Sequence, residues 1–179
     1  MKKIALALCF LAIGMASAYS QINKGQWLVG GSASASFSKQ GDDDGSKVTS
    51  VSISPDAGYF FINNFAGGAR VSFSSIKVKS DENASTNILF APFVRYYFLP
   101  AVQKVNVFAD ASYGFGSAKN GDSESYNQFT IAAGPAVFLS PNTALEFTLQ
   151  YSSAGGDAVG DDRMNNFGLN VGFQIHLGK

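Results

Sequence analysis

The sequence is poor in the residues from which active sites and nucleic-acid surfaces are built. Its 179 residues include one cysteine, Cys9, one histidine, His176, and one tryptophan, Trp27. Cys9 lies inside an apolar run at the start of the chain and follows Leu8 where lipid attachment would want a small residue. Without that run the chain forms no disulfide and offers no thiolate to a metal or a substrate. Any serine–histidine or histidine–metal mechanism would have to pass through His176 alone. Charge is scarce too, at 15% of residues, and without Lys2 and Lys3 only 11 bases face 13 acids. No basic stripe exists to neutralise phosphates, which excludes nucleic acid as a partner. After residue 13, glycine and serine interrupt every apolar run, so no segment reaches the roughly 20 apolar residues of a membrane helix.

What the chain does have begins with a leader. Lys2 and Lys3, the apolar run 4–13 and Ala16-Ser17-Ala18 are the three parts of a secretory signal. Cleavage after Ala18 is expected, dividing the chain into a signal peptide, 1–18, and a single domain, 19–179, of about 160 residues.

That domain alternates with a period of two from Trp27 to Leu177. In 144–153, Leu145, Phe147, Leu149 and Tyr151 share one side of an extended strand, while Glu146, Thr148, Gln150 and Ser152 share the other. Segments of this kind are read at 26–38, 48–61, 65–75, 88–98, 105–117, 128–139, 144–153 and 166–177. Each meets the roughly 9 to 11 residues with which a tilted strand crosses a bilayer. The connections 39–47, 76–87, 118–127 and 154–165 are long and charged, whereas 62–64, 99–104 and 140–143 are short. Short turns at one end and long loops at the other predict an all-β fold, an eight-stranded antiparallel up-and-down transmembrane β-barrel.

The charges orient its faces. Asp42, Asp43, Asp44, Asp81, Glu82, Asp122, Glu124, Asp157, Asp161 and Asp162 fall in the four long connections, and the strand charges Asp56, Arg70, Arg95, Asp110 and Glu146 all fall on the polar face. The apolar face carries two aromatic groups. Trp27, Tyr59, Phe61, Phe65, Tyr96, Phe98 and Phe147 lie toward the short turns, and Phe37, Phe73, Phe90, Tyr113, Phe115, Phe129, Tyr151 and Phe167 toward the long loops. Two aromatic bands around an apolar waist are the mark of the two membrane interfaces. Pro55, Pro92 and Pro135 conflict with strand interiors in a barrel that has no edge, and local bulges are expected there. If 62–64 is a three-residue hairpin loop, Asp56 stands opposite Arg70.

With its leader, the stretch Pro92-Phe93-Val94-Arg95-Tyr96-Tyr97-Phe98 and the closing strand 166–177, the chain resembles the small bacterial outer-membrane β-barrel proteins of the OmpX and OmpA-barrel type, a porin-like family. It departs from them by ending in Leu177-Gly178-Lys179 rather than on an aromatic residue, so Phe173 and Leu177 would have to serve the assembly signal. The resemblance implies a monomer in the outer membrane of a Gram-negative cell, with both termini in the periplasm and the acidic loops at the cell surface. Its implied partners are outer-membrane lipid, the barrel-assembly machinery during biogenesis and an extracellular ligand met by the loops.

The resemblance specifies architecture rather than activity, and the residues assign no catalytic, cofactor or metal site. Charges buried in a barrel need partners whether or not anything reacts there, so Asp56, Arg70, Arg95, Asp110 and Glu146 read as a structural layer in the lumen. His176 has no base-and-orienter arrangement, and Asp42-Asp43-Asp44-Gly45 lacks the spacing of a calcium loop. The expected role is non-enzymatic, structural or in surface interaction. The alternatives are a narrow porin-like channel and a soluble lipocalin-like carrier. Inward positions near the short turns are bulky or charged, and those toward the long loops are small or polar, among them Ser32, Ser52, Ser72, Gly114 and Gly116. A plug below an open, wet vestibule is expected.

Overall fold

The computed structural model describes residues 22–40, 46–78, 85–101, 103–120 and 122–178. Eight strands form: β1 (Trp27–Gln40), β2 (Ser46–Ile62), β3 (Phe65–Val78), β4 (Ser85–Tyr97), β5 (Val105–Asn120), β6 (Asp122–Ser140), β7 (Thr143–Gly156) and β8 (Gly160–Leu177). Each pairs antiparallel with the next, and β1 pairs with β8, closing the barrel. The alternation of the sequence becomes an inside and an outside. Along β4, Phe90, Val94 and Tyr96 are exposed while Ala91, Phe93, Arg95 and Tyr97 are buried. Exposed apolar residues around buried charges are the reverse of a soluble carrier, and the arrangement suits a wall solvated by lipid.

The strands are longer than the alternation predicts. Lys119 pairs with Ser123 and Asn120 with Asp122, so most of the expected connection 118–127 is ladder. Likewise β7 runs to Gly156 and β8 starts at Gly160. Asp122, Glu124, Asp161 and Asp162 therefore sit on strands, and of these four expected loop acids and Asp157 only Asp157 lies in a turn. The physical reason is solvent: a strand that has left the apolar layer keeps its backbone pairing while its side chains no longer need to alternate. Asp42, Asp43, Asp44, Asp81 and Glu82 lie outside the described residues.

The prolines are accommodated without bulges. Ile53 pairs with Phe73 and Asp56 with Arg70 at an unchanged offset, so register passes through Pro55 intact; the same holds across Pro92 and Pro135. Each proline loses the ladder on one side only. On the other it stays in register, as Gly31↔Pro55, Ala69↔Pro92 and Val107↔Pro135. Gly31 has φ +154°, and a Cβ there would stand 2.8 Å from the Pro55 Cα, so this crossing requires glycine. The register shifts occur beside turns instead, between Phe60 and Ile62, Phe138 and Ser140, and Ala154 and Gly156. The first replaces the expected three-residue loop with a tighter turn, in which Asn64 takes φ +67°, and it still leaves Asp56 opposite Arg70.

Residues 22–26 precede β1 and fold across the barrel end at which β1 begins and β8 ends, here the terminus end. The Asn64 N–H donates to the Ile22 carbonyl and the Gly25 N–H to that of Phe60, each at 2.9 Å. The opposite end is called the loop end.

Candidate functional site: the barrel lumen

An eight-stranded barrel is just wide enough for inward side chains to meet across it. At the terminus end they do so as a plug. Ile22, Leu28, Phe60, Tyr97, Phe108 and Phe138 cluster there, none more than 1% exposed. His176 is fully buried against this cluster, its ring centroid 5.3 Å from Phe138, 5.7 Å from Phe60 and 5.8 Å from Tyr97. Ile22 has no periodic context in the sequence, since Gln21 and Asn23 flank it, and only the fold reveals its role.

Asp56, Arg70, Arg95, Asp110 and Glu146 meet directly above the plug. Arg70 Nη2 lies 3.3 Å from Asp56 Oδ2 and 3.2 Å from Asp110 Oδ2. Arg95 donates from Nε to the same Asp110 oxygen at 3.1 Å, and from Nη1 to both Glu146 oxygens at 3.1 Å. The Tyr97 hydroxyl donates to Glu146 Oε1 at 3.1 Å, and Gln174 Nε2 donates to Asp56 Oδ1 at 3.0 Å. These bonds link β2, β3, β4, β5, β7 and β8 through one connected network. Aromatic faces complete it: the Arg95 guanidinium lies 4.6 Å from the Phe108 centroid and 5.7 Å from that of Phe93, and Arg70 lies 5.0 Å from Phe93. The Asp56–Arg70 and Arg95–Asp110 contacts follow strand register. Arg70–Asp110 and Arg95–Glu146 skip strands and depend on how the closed barrel brings its walls together.

Beyond the layer the side chains shorten and a cavity of about 690 Å³ opens toward the loop end. Serines form one wall: Ser32 and Ser34 of β1, Ser50, Ser52 and Ser54 of β2, and Ser72 and Ser74 of β3. Amides and hydroxyls form the other, through Gln128, Thr130, Gln150, Ser152 and Asn170. Ser54 Oγ donates to Ser72 Oγ at 2.9 Å, and Asn170 Nδ2 to Gln150 Oε1 at 2.7 Å. Arg70 is the floor, its side chain 15% exposed against 2% for Asp56 and 1% for Asp110.

Gly114 and Gly116 do not widen this vestibule as expected. A Cβ on Gly114 would stand 2.8 Å from Leu89 Cδ1, and one on Gly116 2.6 Å from the Tyr126 ring, so larger neighbours already occupy the space. The Gly116 contact is legible as a cross-strand pair of a small with a large residue, since Gly116 stands opposite Tyr126, whereas Gly114 stands opposite Gln128 and meets Leu89, the partner of Gly116, on the diagonal. Among the described residues, no three His, Cys, Asp or Glu side chains converge as a metal site would require.

The sequence matches the model of the outer membrane protein beta-barrel domain family over residues 5–174. No curated protein sequence matches it. Among solved structures, Neisserial surface protein A superposes with a TM-score of 0.55 at 18% identity, covering 85% of this chain and 97% of that one. OmpT, an outer membrane protein of Vibrio cholerae, matches in its in-vitro folded trimer form with a TM-score of 0.38 at 14% identity, over 86% of this chain and 52% of that one. Its loop L8 deletion mutant gives 0.37 at 14%, over 85% and 49%. The likeness to the Neisserial protein is one of fold. By the family match, the chain belongs to the outer membrane protein beta-barrel domain family.

Proposed function

We propose that this outer-membrane barrel works without catalysing a reaction, as a structural and surface-interaction protein whose lumen is sealed toward the periplasm and open as a wet vestibule toward the outside. Residues 1–18 are removed as a signal peptide, the terminus end faces the periplasm, and the acid-rich loop end meets the environment. The exposed apolar belt meets outer-membrane lipid, the barrel-assembly machinery delivers the chain, and the folded protein is a monomer.

The seal carries this reading. Ile22, Phe60, Tyr97, Phe108 and Phe138 leave almost no exposed surface, and the charge layer above them ties six strands together. Charges that bond one another and stack on aromatic faces have a structural task, because an unpaired one would be costly in so narrow a lumen. The same seal weighs against a narrow porin-like channel.

Planar-bilayer recording tests both readings. The mature protein is expected to be silent, and Phe93→Ala, Phe108→Ala and Phe138→Ala combined are expected to raise conductance. Steady wild-type conductance, unchanged in the triple variant, would overturn the sealed-lumen reading.

A further inference from the structure

The seam that closes the barrel is paired along part of its length only. Pairing between β1 and β8 runs from Trp27↔Leu177 to Ala33↔Val171. From there β1 continues to Gln40 against β2, while β8 reaches back to Gly160 against β7. Among the described residues, 34–40 and 160–170 therefore face each other across an unpaired gap.

Two observations say what the gap connects. The polar vestibule is lined at this place by Ala35, Phe167 and Leu169, whose alternation puts them on the outer wall. The cavity thus reaches the lipid-facing surface sideways, between two strands. Phe167 and Leu169 are also 73% and 78% exposed, against 40% for Phe129 in the same aromatic band. A neighbouring strand is missing beside them. Phe167 stands opposite Tyr151, which places the gap at the level of the aromatic band near the loop end. Unpaired backbone is tolerated at membrane depth where it lines a water-filled cavity, and the vestibule is such a cavity.

The geometry points to a lateral portal through which the vestibule takes the uncharged, hydroxyl- or amide-bearing head of an amphipath from the outer leaflet, while its hydrocarbon tail stays against Phe167 and Leu169. The serine and amide walls match such a head in both donors and acceptors. The floor selects against charge in two ways. Three acids against two bases leave the layer with a negative excess that disfavours an anion, and Arg70, the one charged side chain lining the vestibule, is already paired with Asp56 and Asp110, so a charged head of either sign would lose hydration without gaining a free counter-ion. This inference rests on the vestibule facing outward and the lumen being sealed; bilayer recording tests the seal separately, so the two readings can fail independently.

The test is photolabelling of the mature protein in phosphatidylcholine vesicles, using an alkyl glucoside with a diazirine in its tail and an alkyl phosphate with the same tail. With the glucoside, adducts mapped by mass spectrometry are expected to concentrate on Ala35, Phe167 and Leu169 relative to Phe115 and Ile131 on the remaining wall. The phosphate is expected to show no such concentration. Filling the gap with Ala35→Trp should reduce the enrichment to the level of the remaining wall. Stapling it through an oxidised Ser34→Cys, Asn170→Cys pair should do the same, with recovery on reduction, and this pair carries the test if the tryptophan variant does not fold. Uniform labelling, equal enrichment with the phosphate, or enrichment that survives closure of the gap would overturn the portal. So would cross-links showing that a second copy fills the gap.

Discussion

Replacing Arg95 with methionine should be among the most destabilising single changes in the barrel, and neutralising Glu146 in the same chain should recover much of the loss. Arg95 bonds Asp110 and Glu146 and is only 4% exposed. Without it the layer holds three acids against one base, and Tyr97 remains the hydrogen-bond donor to a Glu146 side chain that is 3% exposed. Removing one partner of a buried pair costs about 3–5 kcal/mol, most of it from the charge left behind. Methionine retains a long apolar stem between Phe93 and Phe108, so little of that cost comes from packing. Adding Glu146→Gln removes the stranded carboxylate and restores the original one-acid excess, so the double variant should lie about 2 kcal/mol closer to wild type than the sum of the singles. Arg70→Met should cost less than Arg95→Met, because Arg70 is 15% exposed to the vestibule and water there can solvate the acids it leaves. The assay is reversible urea folding in lipid vesicles, read by the fluorescence of Trp27, the single tryptophan, which lies on the lipid face. If the Arg95 and Glu146 costs add within about 0.5 kcal/mol, the two side chains are not coupled and the network described above does not operate as a unit.

Orientation is checked by cysteine labelling on intact cells: Asp157→Cys in the β7–β8 turn should react with an impermeant maleimide, Gln103→Cys at the terminus end should not, and equal reaction would refute the topology. Two glycines separate close backbone approach from free space. Gly134→Ala places its Cβ on the Phe147 carbonyl oxygen and should cost about 1–3 kcal/mol by overpacking. Gly168→Ala meets only Gln150 side-chain atoms, none nearer than 3.6 Å, and should stay within about 0.5 kcal/mol of wild type in the same titration.

What could be read from the sequence was whatever each strand states by itself. Leu145, Phe147, Leu149 and Tyr151 define a face without reference to any neighbour, and eight such statements imply a barrel. The hairpin register that sets Asp56 opposite Arg70 was legible although the turn itself was not, because the register shift between Phe60 and Ile62 offsets the tighter turn. What could not be read depends on a partner strand or on solvent. Asp122 and Glu124 look like loop residues because alternation stops where the apolar layer stops, although pairing continues into water. The contact of Arg70 with Asp110 crosses the lumen between β3 and β5, which are not neighbours, so no hairpin count predicts it. The end of the β1–β8 seam at Ala33↔Val171 is likewise silent in the sequence, since Ser34 and Asn170 would suit a paired ladder equally well.

The height of the charge layer follows from the two media it separates. Deeper in the plug, beside Phe60 and Phe138, a carboxylate would have aromatic edges and few donors, and its desolvation would go uncompensated. Higher, among the serines, water would solvate the charges and weaken their attraction, and they would no longer bind strands together. At the boundary Arg95 is enclosed by Phe93, Phe108 and its two acids, while Arg70 keeps part of its guanidinium toward the vestibule. That is the one level at which the lumen offers strong pairing without stranding a charge, and it places a rigid charged floor beneath the space in which a ligand would sit.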